Sequence, residues 1–171
     1  MASDHGLYGD WDKGLRLMRL IGTKMPAVTK TVLGRIGLFY RDQVKLGIVS
    51  QAPGGQQFEP LKEATIIAKS RKGRRKDKAL IDNGDLKGSI NFDVDMGTLS
   101  VRVGVHKMKR YASGEQVANI AAVHEFGNKK GTIPPRPFLR PIEESLQIRQ
   151  EAKTRITLWM QQAIDRLAKG L

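Results

Sequence analysis

The stretch "INFDVDMGTLSVRVGV", residues 90–105, decides the fold because it holds the clearest strand pattern in the chain. From residue 99 onward, Leu99, Val101, Val103 and Val105 alternate with Ser100, Arg102 and Gly104. Such alternation is typical of a strand with one buried face. Met96-Gly97-Thr98 predicts the preceding turn, and the residues around Ile90 lead into a first strand-like alternation. The sequence therefore predicts a small antiparallel sheet.

A long amphipathic helix is predicted before this hairpin. Its apolar residues recur at three- and four-residue steps and form one stripe: Leu15, Met18, Ile21, Met25, Val28, Val32, Ile36, Phe39, Tyr40, Val44 and Ile48. We expect the helix to start near Trp11, after an Asp10 N-cap, and its stripe to face the core rather than a membrane. Pro26 lies inside the pattern, which fits either a kinked helix or two stacked helices.

Helical patterns also follow the hairpin. The run "QVANIAAVHEFG" predicts a short helix that ends at Gly127. The proline-rich residues 133–139 cannot be helical, and a second long helix is expected from Pro141 onward. The predicted fold class is α+β, with long N-terminal and C-terminal helices around a small antiparallel β-sheet.

The composition is that of a soluble globular protein. The chain has 171 residues, of which 40% are hydrophobic and 27% charged, close to the average for such proteins. We expect a flexible arm at residues 1–10 and a single domain at residues 11–171. No apolar stretch is long enough to span a membrane, and the residues around Gly6 lack the apolar core of a signal peptide. The sequence predicts a soluble protein that is kept inside a cell.

Few residues are available for catalysis or metal binding. The chain has no cysteine, which excludes disulfides, thiol catalysis and thiolate ligands. His5, His106 and His124 are far apart and form no metal-ligand spacing. Motifs for nucleotide, phosphate and acyl chemistry are absent. A nuclease is a third and weaker possibility, since it would need clustered carboxylates for a divalent metal and none stand out in the sequence. We therefore expect no enzyme activity, no cofactor and no metal.

Charge is the most unusual property of the sequence. Thirty Lys and Arg against 17 Asp and Glu give a formal net charge of +13 and a pI near 10.2. The basic segment, residues 69–78, has seven basic residues and one acidic residue, and we expect it to be a mobile loop because it repels itself. It is either a solvated surface or a contact for DNA phosphates or another anionic partner. The candidate contact residues are Lys69, Arg71, Lys72, Arg74, Arg75, Lys76 and Lys78.

Several motifs occur in one order between residues 58 and 140. They are Phe58, Pro60 and Leu61; Leu80, Asn83, Gly84, Leu86, Ser89 and Ile90; Val103 and Gly104; Tyr111, Ala112, His124, Glu125, Phe126 and Gly127; and Ile133, Pro134, Arg136, Pro137, Phe138 and Leu139. In this order they resemble the phage virion morphogenesis, or tail completion, proteins of tailed bacteriophages. No single motif is specific, but their shared order makes the resemblance fairly specific.

This resemblance implies a non-enzymatic structural protein of the virion neck or upper tail, assembled in the host cytoplasm. It implies a ring that completes the tail or joins it to the DNA-filled head, with six copies expected and twelve as the alternative. The implied partners are copies of the chain itself, neighbouring neck, connector or tail-terminator proteins, and packaged double-stranded DNA, without a membrane. The alternative function is a free monomer or dimer that binds nucleic acid without sequence specificity.

The segment from His124 to Leu139 is a candidate assembly surface. Its prolines restrict the backbone before any partner arrives, and aromatic and Arg side chains are frequent at the centres of interfaces. The candidate residues are His124, Glu125, Phe126, Arg136, Phe138 and Leu139. Arg136 is expected to meet a carboxylate such as Glu125 or to point to water. Phe138 and Leu139 are expected either in the core or at a subunit interface.

Overall fold

A 40-residue helix, α1 (Trp11–Ser50), is the longest element of the computed structural model, which describes residues 11–73 and 77–169. Pro26 lies inside α1, and the helix continues through it as one element rather than as two stacked helices. The proline removes one backbone donor. However, Val28 and Val32 on its C-terminal side lie against the last helix of the chain, which supports the continuation. The predicted arm at residues 1–10 lies outside the described residues.

Two strands and five further α-helices follow α1 in the described part of the chain. They are α2 (Glu63–Arg71), α3 (Asp85–Ser89), β1 (Ile90–Asp95), β2 (Ser100–Val105), α4 (Val117–Phe126), α5 (Arg140–Glu144) and α6 (Leu146–Lys169). The strands form one antiparallel hairpin. This arrangement confirms the predicted α+β class. Within the described residues, no helix combines the length and apolarity that a membrane crossing needs.

The β-hairpin packs against α1. Its register pairs Ile90 with Val105, and the chain turns at residues 96–99, in the predicted region. The ring of Phe92 approaches α1 so closely that a Cβ at Gly37 would lie 2.1 Å from it. Only a glycine allows this approach, so Gly37 sets the distance between the helix and the sheet.

The C-terminal helix is interrupted, whereas the sequence pattern predicts one long helix. Ser145 separates α5 from α6 because it adopts an extended conformation, with φ −63° and ψ 112°. Its hydroxyl accepts a hydrogen bond of 3.4 Å from the N–H of Ile148, in the manner of an N-cap. The break lets α5 pack near the C-terminal end of α1 while α6 runs back along it.

The hydrophobic core lies between α1, the hairpin, α3, α4, α5 and the start of α6. Its buried members are Ile36, Phe39, Val44, Ile48, Leu86, Ile90, Val117, Ala121, Phe138, Ile142, Ile148 and Ala152. The apolar stripe of α1 belongs to the core in its second half, as predicted. Leu15 and Met18 are 52% and 72% exposed, so the predicted core position of these two residues is wrong. They lie in the part of α1 that is farthest from the hairpin.

Candidate assembly surface and basic segment

Glu125, in the last turn of α4, holds the start of α5. Its carboxylate accepts hydrogen bonds from the peptide N–H groups of Phe138 (2.8 Å), Leu139 (3.0 Å) and Arg140 (2.9 Å). Hydrogen bonds to a charged acceptor are stronger than those between neutral groups. Because Glu125 is buried and its oxygens are used in this way, it fixes the backbone and does not present a carboxylate to a partner.

Arg136 is buried and joins the proline segment (residues 133–139) to a second loop. Its Nε donates to the carbonyl of Glu59 and its Nη2 to that of Pro60, both at 3.1 Å. Both expectations for Arg136 are wrong, since the guanidinium neither meets Glu125 nor points to water. The physical reason is geometric: a planar guanidinium presents donors in a fixed fork, and two successive carbonyls match it.

Phe138 and Leu139 occupy different environments. Phe138 is fully buried in the core, so the core expectation applies to it, and it is not a surface residue in this conformation. Leu139 is half-buried and lines an apolar cleft of about 590 Å³ together with Tyr40 and Ile142. A contact between Leu139 and a partner therefore stays a prediction.

Phe126 is the predicted assembly residue that the fold leaves most exposed, at 68%. The guanidinium of Arg140 lies 5.6 Å from the centre of its ring, within the range of a cation–π contact. Arg140 is not among the predicted assembly residues. Nothing in the sequence indicates this pairing, because the two residues are 14 positions apart and meet only through the fold.

His124 lies one residue before Glu125 and is half-buried. Its Nδ1 is buried and has no hydrogen-bond partner among the described residues. Burial, followed by the positive charge of Arg136, lowers the pKa of His124 from its usual value of 6.5. A neutral imidazole therefore fits this position better than a charged one. Within residues 11–73 and 77–169, no group of three His, Cys, Asp or Glu side chains could hold a metal ion.

The basic segment begins as a helix rather than as a loop, because α2 extends to Arg71. The ammonium group of Lys69 donates to the carbonyls of Lys78 and Ile81. The ammonium group of Lys78 donates to the carbonyl of Val49 at 2.8 Å. These two lysines therefore attach both ends of the segment to the domain, instead of extending into solvent as a mobile loop would require.

The other charges of the basic segment lie between these two attachments. Arg71 and Lys72 are exposed. Arg74, Arg75 and Lys76 lie outside the described residues. The contact of the segment with DNA or another anionic partner stays a prediction. Among the described residues, Arg71 and Lys72 are the best candidates for it.

Comparison with known proteins matches the chain to one family over most of its length. The model of the phage virion morphogenesis family matches residues 14–165. An uncharacterized protein of Methanocaldococcus jannaschii is 32% identical over 91 residues, which cover 53% of this chain and 60% of that protein. The chain thus spans about three fifths of the length of this curated relative. No solved structure matches the chain. Because the family match extends from α1 into α6, the chain belongs to the phage virion morphogenesis family.

Proposed function

We propose that this protein is a structural subunit of a phage neck or upper tail, where it forms a ring that completes the tail or joins it to the DNA-filled head. Membership of the phage virion morphogenesis family supports a role in virion assembly, and a structural rather than a catalytic one. The observation that carries the proposal is the extent of the family match, which covers the hairpin and both long helices.

The exposed apolar side chains of the subunit support an assembly role. Met18 on α1, Phe126 on α4 and Leu146 on α6 are all more than two thirds exposed. A single exposed apolar residue needs no explanation, but large ones at three separate places suit a protein that is covered by neighbours. In the proposed particle, these neighbours are further copies of the chain and the adjoining connector or tail-terminator proteins.

We further propose six copies in the ring, with twelve as the alternative. Six copies match the symmetry of a tail, and twelve match a portal. A contact between two different surfaces of identical subunits must close into a ring or grow into a filament. The net charge of +13 suits a ring that lies near packaged double-stranded DNA or an acidic neighbouring ring.

This function is tested by disrupting the gene in the phage genome and by analysing purified wild-type virions. We expect cells without the protein to accumulate DNA-filled heads and separate tails that do not join, visible by electron microscopy. Mass spectrometry of wild-type virions should detect the protein, and image reconstruction should place it in a symmetric collar. Its absence from purified virions, or a single copy per particle, would contradict the structural role.

The second candidate function is a free protein that binds nucleic acid without sequence specificity. The observation that favours it is the exposed basic pair Arg71 and Lys72 within a segment of net charge +6. The mass of the protein in solution separates the two functions, measured alone and after mixing with the connector or terminator proteins of the same phage. A complex of defined stoichiometry supports the ring subunit, whereas salt-sensitive binding to duplex DNA without any such complex supports the alternative.

A further inference from the structure

The start of α1 extends beyond the helix that covers the rest of it. Arg155 of α6 lies over the ring of Phe39, and Trp159 of α6 lies against Arg35, so the two helices run in opposite directions. The cleft between them ends at Ala27 on α1 and at residue 167 on α6, whose last residue is Lys169. The α1 tip, residues 12–25, therefore extends past α6 by up to about 20 Å, at 1.5 Å per residue.

The α1 tip combines exposed apolar side chains with positive charge. Met18 and Leu15 are 72% and 52% exposed. The tip contains four basic residues and one acidic residue, a net charge of +3. Arg16 and Arg19 are exposed and make no ion pair within the described residues. Such a surface fits a partner that is apolar at its centre and acidic at its edge.

The opposite end of α6 presents a surface of this kind. At the α5–α6 junction, residues 143–151, Leu146 is 79% exposed. The exposed carboxylates of Glu143 and Glu144 lie beside it in sequence and make no ion pair within the described residues. The guanidinium of Arg149 is bound instead to the backbone carbonyls of these two residues, at 2.7 and 3.5 Å. The junction therefore combines two available acidic side chains with one exposed leucine.

We propose that the α1 tip of one copy docks on the α5–α6 junction of the next copy, an inference that rests on the proposed ring. Met18 and Leu15 cover Leu146, while Arg16 and Arg19 meet Glu143 and Glu144. The two surfaces lie at opposite ends of α6, which is about 36 Å long at 1.5 Å per residue. The contact is therefore head-to-tail, the kind of contact that a ring of identical subunits requires.

Charge and exposed apolar surface together favour this occupant over the others. Two α1 tips would bring two surfaces of net charge +3 together, which opposes a contact between tips. Duplex DNA would match the charge but would leave Met18 and Leu15 without an apolar partner. An anionic membrane would match both properties, yet it would leave the exposed Leu146 and its two carboxylates unexplained. A second copy of the chain covers both surfaces at once.

The test is an exchange of charges in the full-length chain. One variant carries Arg16→Glu and Arg19→Glu, a second carries Glu143→Lys and Glu144→Lys, and a third carries all four changes. We expect each of the first two to lower the yield of infectious particles in a complementation assay by at least about tenfold, because like charges then face each other across the contact. The third variant should recover most of the lost yield, because opposite charges face each other again. The matched control carries Lys107→Glu and Lys109→Glu, two exposed basic residues outside the α1 tip, the α5–α6 junction and the candidate assembly surface, and it should leave the yield unchanged.

The thermal midpoint of each purified variant shows whether the subunit still folds, and light scattering over a concentration series gives its mass. The proposed contact would be overturned if the third variant did not recover the particle yield although all variants had wild-type thermal midpoints. A wild-type particle yield in the first two variants would overturn it as well.

The first variant, which changes the α1 tip, is also tested for binding to duplex DNA and to anionic phospholipid vesicles. A loss of either binding without recovery in the third variant would reassign the tip to that ligand. If virions contain a ring of the protein while the exchange has no effect, only the docking inference fails, whereas absence from virions defeats the proposed function itself.

Discussion

The carboxylate of Glu125 and the peptide N–H of Phe138 are joined by a hydrogen bond of 2.8 Å, and both residues are buried. This bond fixes the chain at the point where the proline segment enters the core. The two further N–H groups that donate to Glu125 extend the attachment into the first residue of α5. The segment that looks most like an exposed docking motif in the sequence is therefore anchored from beneath by a buried acid.

Replacing Glu125 should destabilise the subunit. Glu125→Ala leaves three peptide N–H groups without their acceptor, and one buried unsatisfied group costs about 1–3 kcal/mol. We expect the free energy of unfolding to fall by at least about 3 kcal/mol in a urea titration. Glu125→Gln keeps one acceptor oxygen and should lose less. Equal losses for the two variants would show that the carboxylate oxygens do not carry this stability.

Arg136→Ala should also lower the free energy of unfolding, by about 2–4 kcal/mol. Each hydrogen bond to a charged group contributes about 1.5–3 kcal/mol, and the two bonds are not fully additive because one guanidinium donates both. Arg136→Lys keeps the charge but not the fork that binds two carbonyls, so it should recover only part of the loss. Arg71→Ala is the matched control, since Arg71 is exposed, and it should change stability by less than about 0.5 kcal/mol. Wild-type unfolding of Arg136→Ala would return this residue to the candidate assembly surface.

Stability should fall as the pH drops below about 6.5 because of His124. Its pKa is lowered in the folded state by burial and by Arg136, so the unfolded chain binds a proton before the folded chain does. The loss begins near the usual pKa of histidine and levels off below the lowered pKa of the folded state. Urea unfolding at about pH 7.5 and pH 5.5 measures the difference.

The control for this pH dependence is a pair of histidine variants. His124→Leu removes the titrating group and should reduce the difference in unfolding free energy between the two pH values. His124→Gln also removes the titrating group but keeps a polar side chain, and it should reduce the difference to a similar extent. An unchanged difference in His124→Leu would assign the pH dependence to other groups.

Neutralising the middle of the basic segment should affect binding rather than folding. The variant replaces five basic residues with Gln or Ser: Arg71, Lys72, Arg74, Arg75 and Lys76. We expect this replacement to change the free energy of unfolding by less than about 0.5 kcal/mol. Affinity for duplex DNA should fall and depend less steeply on salt, because fewer counterions are released. Lys69→Met is the contrasting variant, and it should lower stability because its ammonium group bonds to two carbonyls. Unfolding of the five-residue variant would show that these side chains are packed.

The sequence by itself determined the local elements. Alternation in residues 99–105 predicted β2, Gly127 predicted the end of α4, and the three-and-four spacing predicted α1. These signals are visible because each depends on residues only a few positions apart. The order of motifs from Phe58 to Leu139 likewise indicated the family, since order and spacing belong to the sequence alone.

Tertiary structure decided which of the selected side chains reach the surface. Arg136 and Phe138 have the residue types of an interface, but Arg136 binds carbonyls 76 and 77 positions away and Phe138 fills the core. Leu15 and Met18 continue a core stripe in the sequence, yet they are exposed because α6 ends before it reaches them. Burial depends on which distant element covers a residue, and no local pattern contains that information.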